Sequence, residues 1–174
     1  MTLRIAINGF GRIGRLTLRA LFESKSKDFE VVAINDLTPL EGNAHLLQYD
    51  SVHGRFPGVI EAKDGVLHMG EHRIQVLSIA NPESLPRADM NIDIVFECSG
   101  RFTNRDSAAA HLTAGAKRVL VSAPTTDADL TVVYGVNHDV LTEQHLVVSN
   151  ASCTTNCLAP MAKVLHESVG IERG

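Results

Sequence analysis

The sequence predicts an α/β protein built on a doubly wound, mostly parallel sheet with a small antiparallel excursion. Short β-branched apolar runs alternate with segments whose apolar residues recur at helical spacing, the pattern of parallel strands joined by crossover helices. A glycine-rich break separates the first such run from the first helical segment. Between Gly54 and Ala80 the pattern changes to short alternating segments split by Asp64-Gly65 and Gly70, and an Asp-Gly pair between such segments signals a hairpin.

Leu3–Asn8 reads as a buried parallel strand, broken at Gly9–Gly14. Arg12–Glu23 places Ile13, Leu16, Leu18, Ala20 and Leu21 at near-helical spacing. Glu30–Asn35 is a second buried strand. Pro39 is tolerated in the first turn of a helix over Leu40–Tyr49. Val59–Ala62, Val66–Met69 and Ile74–Leu77 form the antiparallel excursion. Ile92–Cys98 returns to a buried strand, and the Ala-rich helix Asp106–Gly115 ends on its glycine. Arg118–Ser122, Leu130–Tyr134 and Leu146–Ser149 are further strands. Ser152–Ser168 opens on a hydroxyl residue and reads as the last helix.

The 174 residues suit one domain with room for a real core. Hydrophobic residues at 44% and charged residues at 21% are ordinary for a globular protein, and a net charge of -4 gives no electrostatic case for nucleic acid. Apolar runs such as Ile92–Cys98 are far too short to span a bilayer, so the protein is read as cytoplasmic, with no membrane partner. Three cysteines, an odd number, argue against a disulfide framework.

Gly9-Phe10-Gly11-Arg12-Ile13-Gly14 fits G-x-G-x-x-G. Its position after a buried strand and before a helix gives it weight. There the first glycine makes the turn, the second admits a pyrophosphate, and the third lets helix and strand pack closely. The helix N-terminus offers free N–H groups and the positive end of its dipole to the phosphates. Asp36 closes the second strand 22 residues after Gly14. A carboxylate there accepts hydrogen bonds from ribose hydroxyls and repels a 2′-phosphate, which favours NAD over NADP; alternatively it caps a turn. No metal site is expected, because no histidine completes a ligand set with the cysteines.

Ser149–Cys157 (SNASCTTNC) follows a strand and opens the last helix, so Cys153 falls in the first turn. The dipole there favours the anionic, nucleophilic sulfur, and Ser152 and Thr154 place hydroxyls and N–H donors beside it that suit a phosphate. The residues alone leave open a plainer reading, a capped helix with a small buried cysteine. Cys157, one turn later, is expected to be buried and structural, and Cys98 to belong to the core.

Ile5–Arg15, Tyr49–Phe56, Ala114–Lys117, Ser122–Pro124, Gly135–His138 and Ser149–Pro160 together give the chain a resemblance, along essentially its whole length, to the N-terminal part of the glyceraldehyde-3-phosphate dehydrogenase family, in a bacterial form. The resemblance implies an NAD-binding Rossmann domain over residues 1–150 and the start of a catalytic domain over 151–174, the rest of that domain being absent. It implies the nucleophile at Cys153, with Ser152 and Thr154 around the transferring phosphate. Asn8, Gly9, Phe10, Gly11, Arg12, Ile13 and Gly14 match the cofactor loop, and Asn35 and Asp36 the adenosine side. Ser99, Gly100 and Phe102 match the segment under the nicotinamide half, and Ser122 and Ala123 match further cofactor contacts. The implied partners are a sugar-phosphate aldehyde and inorganic phosphate, in a homotetramer.

The implied reaction is oxidation of D-glyceraldehyde 3-phosphate to 1,3-bisphosphoglycerate through a cysteine thioester. A histidine should assist Cys153, but none of the eight histidines matches its place. The chain by itself is therefore expected to bind NAD weakly and to turn over little. Two departures stand out: Ala80 where a basic residue is usual, and Arg101 where a small or apolar residue is usual. Erythrose-4-phosphate dehydrogenase and a non-catalytic dinucleotide-binding module are the rival readings.

Overall fold

The computed structural model describes residues 2–173. In chain order they form β1 (Leu3–Asn8), α1 (Arg12–Ser24), β2 (Phe29–Asn35), α2 (Leu40–Gln48), β3 (Tyr49–Asp50), β4 (Gly54–Arg55) and β5 (Ile60–Lys63). There follow β6 (Val66–Met69), β7 (His72–Leu77), β8 (Ile94–Glu97), α3 (Arg105–Thr113), β9 (Arg118–Val121), β10 (Leu130–Thr131), β11 (Val147–Ser149) and α4 (Cys153–Val169).

The main sheet runs β10-β11-β9-β8-β1-β2-β7-β6-β5. Every pairing from β10 to β7 is parallel, while β7-β6 and β6-β5 are antiparallel. The antiparallel excursion therefore extends the edge of the parallel sheet instead of leaving it. Its first turn is set by Asp64 and Gly65, both at positive φ (52° and 76°), as a tight two-residue hairpin requires. A separate ribbon, β3-β4, carries the Tyr49–Phe56 segment.

The two sheet faces are covered by different crossovers. Ile7 and Ile34 pack with Leu18 of α1 and with Leu47 of α2 on one face. Ala6, Ala33 and Val95 point to the other, where Ala108 of α3 covers Val119, Val121 and Val147 further along. The strand order reverses beside β1, since β2 lies on one flank and β8 on the other. In a sheet wound this way the ligand crevice opens beyond the carboxyl ends of those strands.

Several elements are shorter than the sequence suggests. β10 stops at Thr131 because the Asn137 side chain takes the Val133 N–H (2.8 Å) and the chain then turns at Gly135 (φ 82°). The strand expected from Ile92 begins at Ile94, because the Ile92 N–H closes a turn onto the Arg87 carbonyl.

Candidate functional site

A crevice of about 250 Å³ opens beyond the ends of β1, β2 and β8. Asn8, Gly9 and Gly11 form its base, Asn35 and Asp36 one end, and Ser99 and Phe102 the other. The three loop glycines have three separate reasons to be glycine. Gly9 sits at φ 87°, and a Cβ there would lie 2.5 Å from the Ser99 backbone. A Cβ on Gly14 would lie 2.3 Å from the Gly9 carbonyl oxygen, so the third glycine lets α1 press onto the loop. Gly11 faces open space, with nothing within 4 Å of its would-be Cβ. It is also the N-cap of α1, where no side chain caps the helix and no acidic residue occupies the first turn. The first-turn N–H groups and the positive helix end are thus left for an anion, and a dinucleotide pyrophosphate fits this cradle.

Asp36 lies half-buried at the β2 end of the crevice. Its carboxylate accepts from the Phe10 N–H (2.6 Å) and the Thr38 N–H (2.8 Å). Burial disfavours its charge, but these hydrogen bonds outweigh burial and hold it below the ordinary carboxylate range. The residue thus ties the glycine loop to the end of β2 while also lining the crevice.

A second cavity of about 330 Å³ adjoins the first and shares Cys98 with it. Ile13 and Thr17 of α1 wall one side, Ser122 and Phe96 the sheet side, and Ser152 and Cys153 the mouth of α4. Cys153 is exposed at the first helical position. The turn that presents it is held from several directions. Ser152 caps α4 by accepting from the Thr155 N–H (3.0 Å), and Asn156 donates to the carbonyls of Asn150 (2.7 Å) and Ser152 (3.0 Å). Ala151, buried, adopts φ 56°, a left-handed conformation disfavoured for a residue with a Cβ. It is held there by donation of its N–H to the Ser149 hydroxyl (3.1 Å).

Of the residues singled out from sequence, Asn8, Gly9, Gly11, Asn35, Asp36, Ser99 and Phe102 line the first crevice. Ile13, Ser122, Ser152 and Cys153 line the adjoining cavity. Gly14 acts through packing. Gly100, Ala123 and Thr154 line neither cavity, and the Ala123 carbonyl already accepts the Ser149 hydroxyl (2.8 Å). The Phe10 side chain is buried in the core with Ile7 and Leu47, while its backbone N–H, in the loop, donates to Asp36. Arg12 turns away to pair with Asp50 (3.1 Å).

The expectation for Cys157 also fails. It is exposed, because α4 has no buried residue along its length. Cys98 is half-buried against the core, and burial pushes its thiol up to about 11. Arg101 and Ala80 both stand on the crevice wall. Among the described residues no histidine lines the cavity at Cys153, and no cluster of side chains could hold a metal ion. No helix among them is long and apolar enough to cross a membrane.

Sequence reasoning missed Glu97. It is fully buried beneath the crevice, where it accepts from Asn8 Nδ2 (2.6 Å), the Ser99 N–H (2.8 Å), the Ser99 hydroxyl and His111 Nε2 (2.9 Å). The signal was an acidic residue at an inward position of an apolar strand, a place a carboxylate holds only when paired. Larger concavities exist, such as one of about 540 Å³ beside Phe22 and Phe29, but they hold none of the motif residues.

A doubly wound sheet with a glycine cradle at its switch point defines a dinucleotide-binding protein, here with an exposed thiol one cavity away from the crevice. Residues 3–105 match the family described as glyceraldehyde 3-phosphate dehydrogenase, NAD binding domain, and residues 152–174 match the corresponding C-terminal domain. The chain is 63% identical over 174 residues to a glyceraldehyde-3-phosphate dehydrogenase of Xanthobacter flavus, and 60% identical over the same length to one of Cereibacter sphaeroides; each alignment covers 100% of this chain and 52% of the relative. It is 52% identical over 171 residues to that of Thermotoga maritima, covering 98% of this chain and 51% of the relative. The chain thus spans about half the length of the curated relatives it matches. It belongs to the glyceraldehyde-3-phosphate dehydrogenase family, and the crevice is that of an NAD-binding domain.

Proposed function

We propose that this chain forms the NAD-binding half, and the start of the catalytic half, of an enzyme that oxidises D-glyceraldehyde 3-phosphate with inorganic phosphate. Residues 1–150 are the cofactor domain and 151–174 begin the catalytic domain, a division supported by the separate family match over residues 152–174. The observation that carries the reading is the exposed thiol of Cys153 at the mouth of α4, in a cavity that shares a wall with the dinucleotide crevice.

The chemistry assigned to the chain's own groups begins with the Cys153 sulfur. It bonds to the aldehyde carbon, and the former carbonyl oxygen takes a proton. The positive end of α4 favours any phosphate group nearby. NAD, when bound, supplies the hydride acceptor, and the protein fixes its position against the sulfur. When that carbon gives up its hydrogen as hydride to this acceptor and the hydroxyl gives its proton to water, a thioester is left on Cys153 and keeps the acyl carbon activated. Attack by a phosphate oxygen then breaks the carbon–sulfur bond, releasing the acyl phosphate and restoring the thiolate. Ser152 and Thr154 are the proposed phosphate neighbours.

On the cofactor side, Gly9, Gly11 and the α1 N-terminus receive the pyrophosphate. Asn35 and Asp36 face the adenosine half, and Ser99, Gly100, Phe102, Ser122 and Ala123 border the nicotinamide half. Phe10, Arg12, Ile13 and Gly14 shape the loop. The proposed assembly is a homotetramer.

In the full-length protein, Cys153→Ser is expected to abolish phosphorylating oxidation while NAD binding by calorimetry stays within about threefold of the parent. Retained turnover would remove the cysteine mechanism. Parallel assays with erythrose 4-phosphate separate the two aldehyde substrates.

A further inference from the structure

Beneath the crevice runs a continuous line of side-chain hydrogen bonds. The Asn8 amide donates to Glu97 (2.6 Å), and the Asn8 oxygen accepts from Asn35 Nδ2 (2.8 Å). Asn35 then meets the backbone of Ile79 on both sides, donating to its carbonyl (2.9 Å) and accepting from its N–H (2.9 Å). At the other end Glu97 holds the backbone N–H and hydroxyl of Ser99, and His111 holds Glu97. Asn8, Asn35, Ile79 and Ser99 all line the crevice, whereas Glu97 and His111 lie below it, fully buried.

The polarity of this line is fixed by its chemistry. A carboxylate only accepts. Asn8 must therefore turn its NH2 towards Glu97 and its oxygen towards Asn35. Asn35 must in turn present its NH2 to Asn8, which leaves its oxygen for the Ile79 N–H. Both oxygens of Glu97 are fully used, two donors on each. Its charge also acts on Arg87, a fully buried guanidinium without a hydrogen-bond partner among the described residues. Burial drives Arg87 down to about 10, and Glu97 pulls the other way.

We infer that Glu97, held by His111, is a positioning residue for the dinucleotide: it sets the orientation of Asn8 and Ser99, and through them the floor of the crevice from the Ser99 end to Asn35 and Ile79. The inference rests on the reading of this crevice as the NAD site. Glu97→Gln has nearly the same shape but replaces two acceptor sites by donors. Either the Ser99 N–H loses its acceptor, or Asn8 and Asn35 reverse and two donors confront each other at Ile79. A purely space-filling role would be indifferent to this exchange.

The test is calorimetric titration of NAD into the full chain and its Glu97→Gln and Leu67→Ala variants, at a temperature where all are folded. Leu67 lies buried in β6, away from the crevice. NAD binding by the parent supports the cofactor reading, and its absence would remove that reading and this inference together. Glu97→Gln is expected to weaken NAD about tenfold or more and to shift the Asn8 side-chain amide resonances, while Leu67→Ala loses stability but keeps parental affinity. Affinity of Glu97→Gln within about twofold of the parent, or an equal loss in Leu67→Ala, overturns the inference. Should Glu97→Gln fail to fold, His111→Gln and His111→Leu decide, because only the former keeps an N–H donor for the carboxylate. Weaker NAD binding by the leucine variant supports the assignment, and equal binding overturns it.

Discussion

Substituting Gly14 by alanine separates what the glycine loop does for the fold from what it does for the cofactor. The added Cβ would stand 2.3 Å from the Gly9 carbonyl oxygen and 3.1 Å from Ile7 Cγ2. Real Cβ contacts essentially never fall under 3.0 Å, so loop and helix must part by at least ~0.7 Å. The obstacle is backbone and cannot swing aside. Alanine gains about 1 kcal/mol of helix propensity over glycine, and forced overpacking costs about 1–3 kcal/mol, here in the upper part of that range, about 2–3 kcal/mol, because the obstacle is backbone. The expected net loss is about 1–2 kcal/mol, read as a fall of roughly 0.5–1 M in the urea midpoint at an unchanged slope. Gly11→Ala is the contrast, because its Cβ meets nothing within 4 Å. Stability should hold within about 0.5 kcal/mol, the weaker N-cap being offset by a less flexible unfolded chain. NAD affinity should fall about tenfold or more, since the new methyl occupies the approach to the helix N-terminus. Parental stability in Gly14→Ala, or parental NAD affinity in Gly11→Ala, would refute the division of roles.

Asp36 ties the glycine loop through a carboxylate held below its ordinary value. Its folded value is the lower one, so this stabilisation is present above about pH 4 and is lost as the pH falls through the folded value. The gap in urea midpoint between the parent and Asp36→Asn should therefore narrow from pH 5 towards about pH 2; a gap independent of pH would refute the tether. Iodoacetamide near neutral pH should modify Cys153 and Cys157 and spare Cys98, whose thiol is pushed up to about 11 by burial. Peptide mass mapping checks this, and rapid labelling of Cys98 in the folded chain would contradict its placement.

Much of the fold was legible because local rules and tertiary demand agree. Leu3–Asn8, the glycine break and the following helix form one strand–turn–helix unit, and each glycine has a local reason to be there. The hairpin at Asp64-Gly65 was readable for the same cause. What escaped depends on partners far along the chain. Glu97 and Asn8 are separated by 89 residues, and no local pattern announces their contact. Phe10 sits inside the cofactor motif yet points into the core, because the turn at Gly9 aims it inward while its N–H meets Asp36. Burial of Cys157 depends on what covers α4, and nothing in the local spacing of Cys153 and Cys157 encodes that. Glycine spacing pointed to the crevice beyond β1, β2 and β8, and the cysteine segment to the adjoining cavity. The buried carboxylate under both was visible only as an oddity in an apolar strand.

Helix α4 carries a gradient of anchorage. Its first turn is fastened by the Ser152 cap and the two Asn156 bonds, while Pro160 interrupts its middle and Leu158, Val164, Leu165 and Val169 stand in solvent. In this chain by itself the helix body has little beneath it apart from the Lys163 ammonium donating to the Gly135 carbonyl (2.9 Å), so amide exchange should be fastest from the Val169 end and slow towards Cys153. The sulfur thus keeps its bearing from the sheet side of the turn. Its aim would survive fraying beyond Lys163, as a hinge leaf stays true while its screwed edge is held.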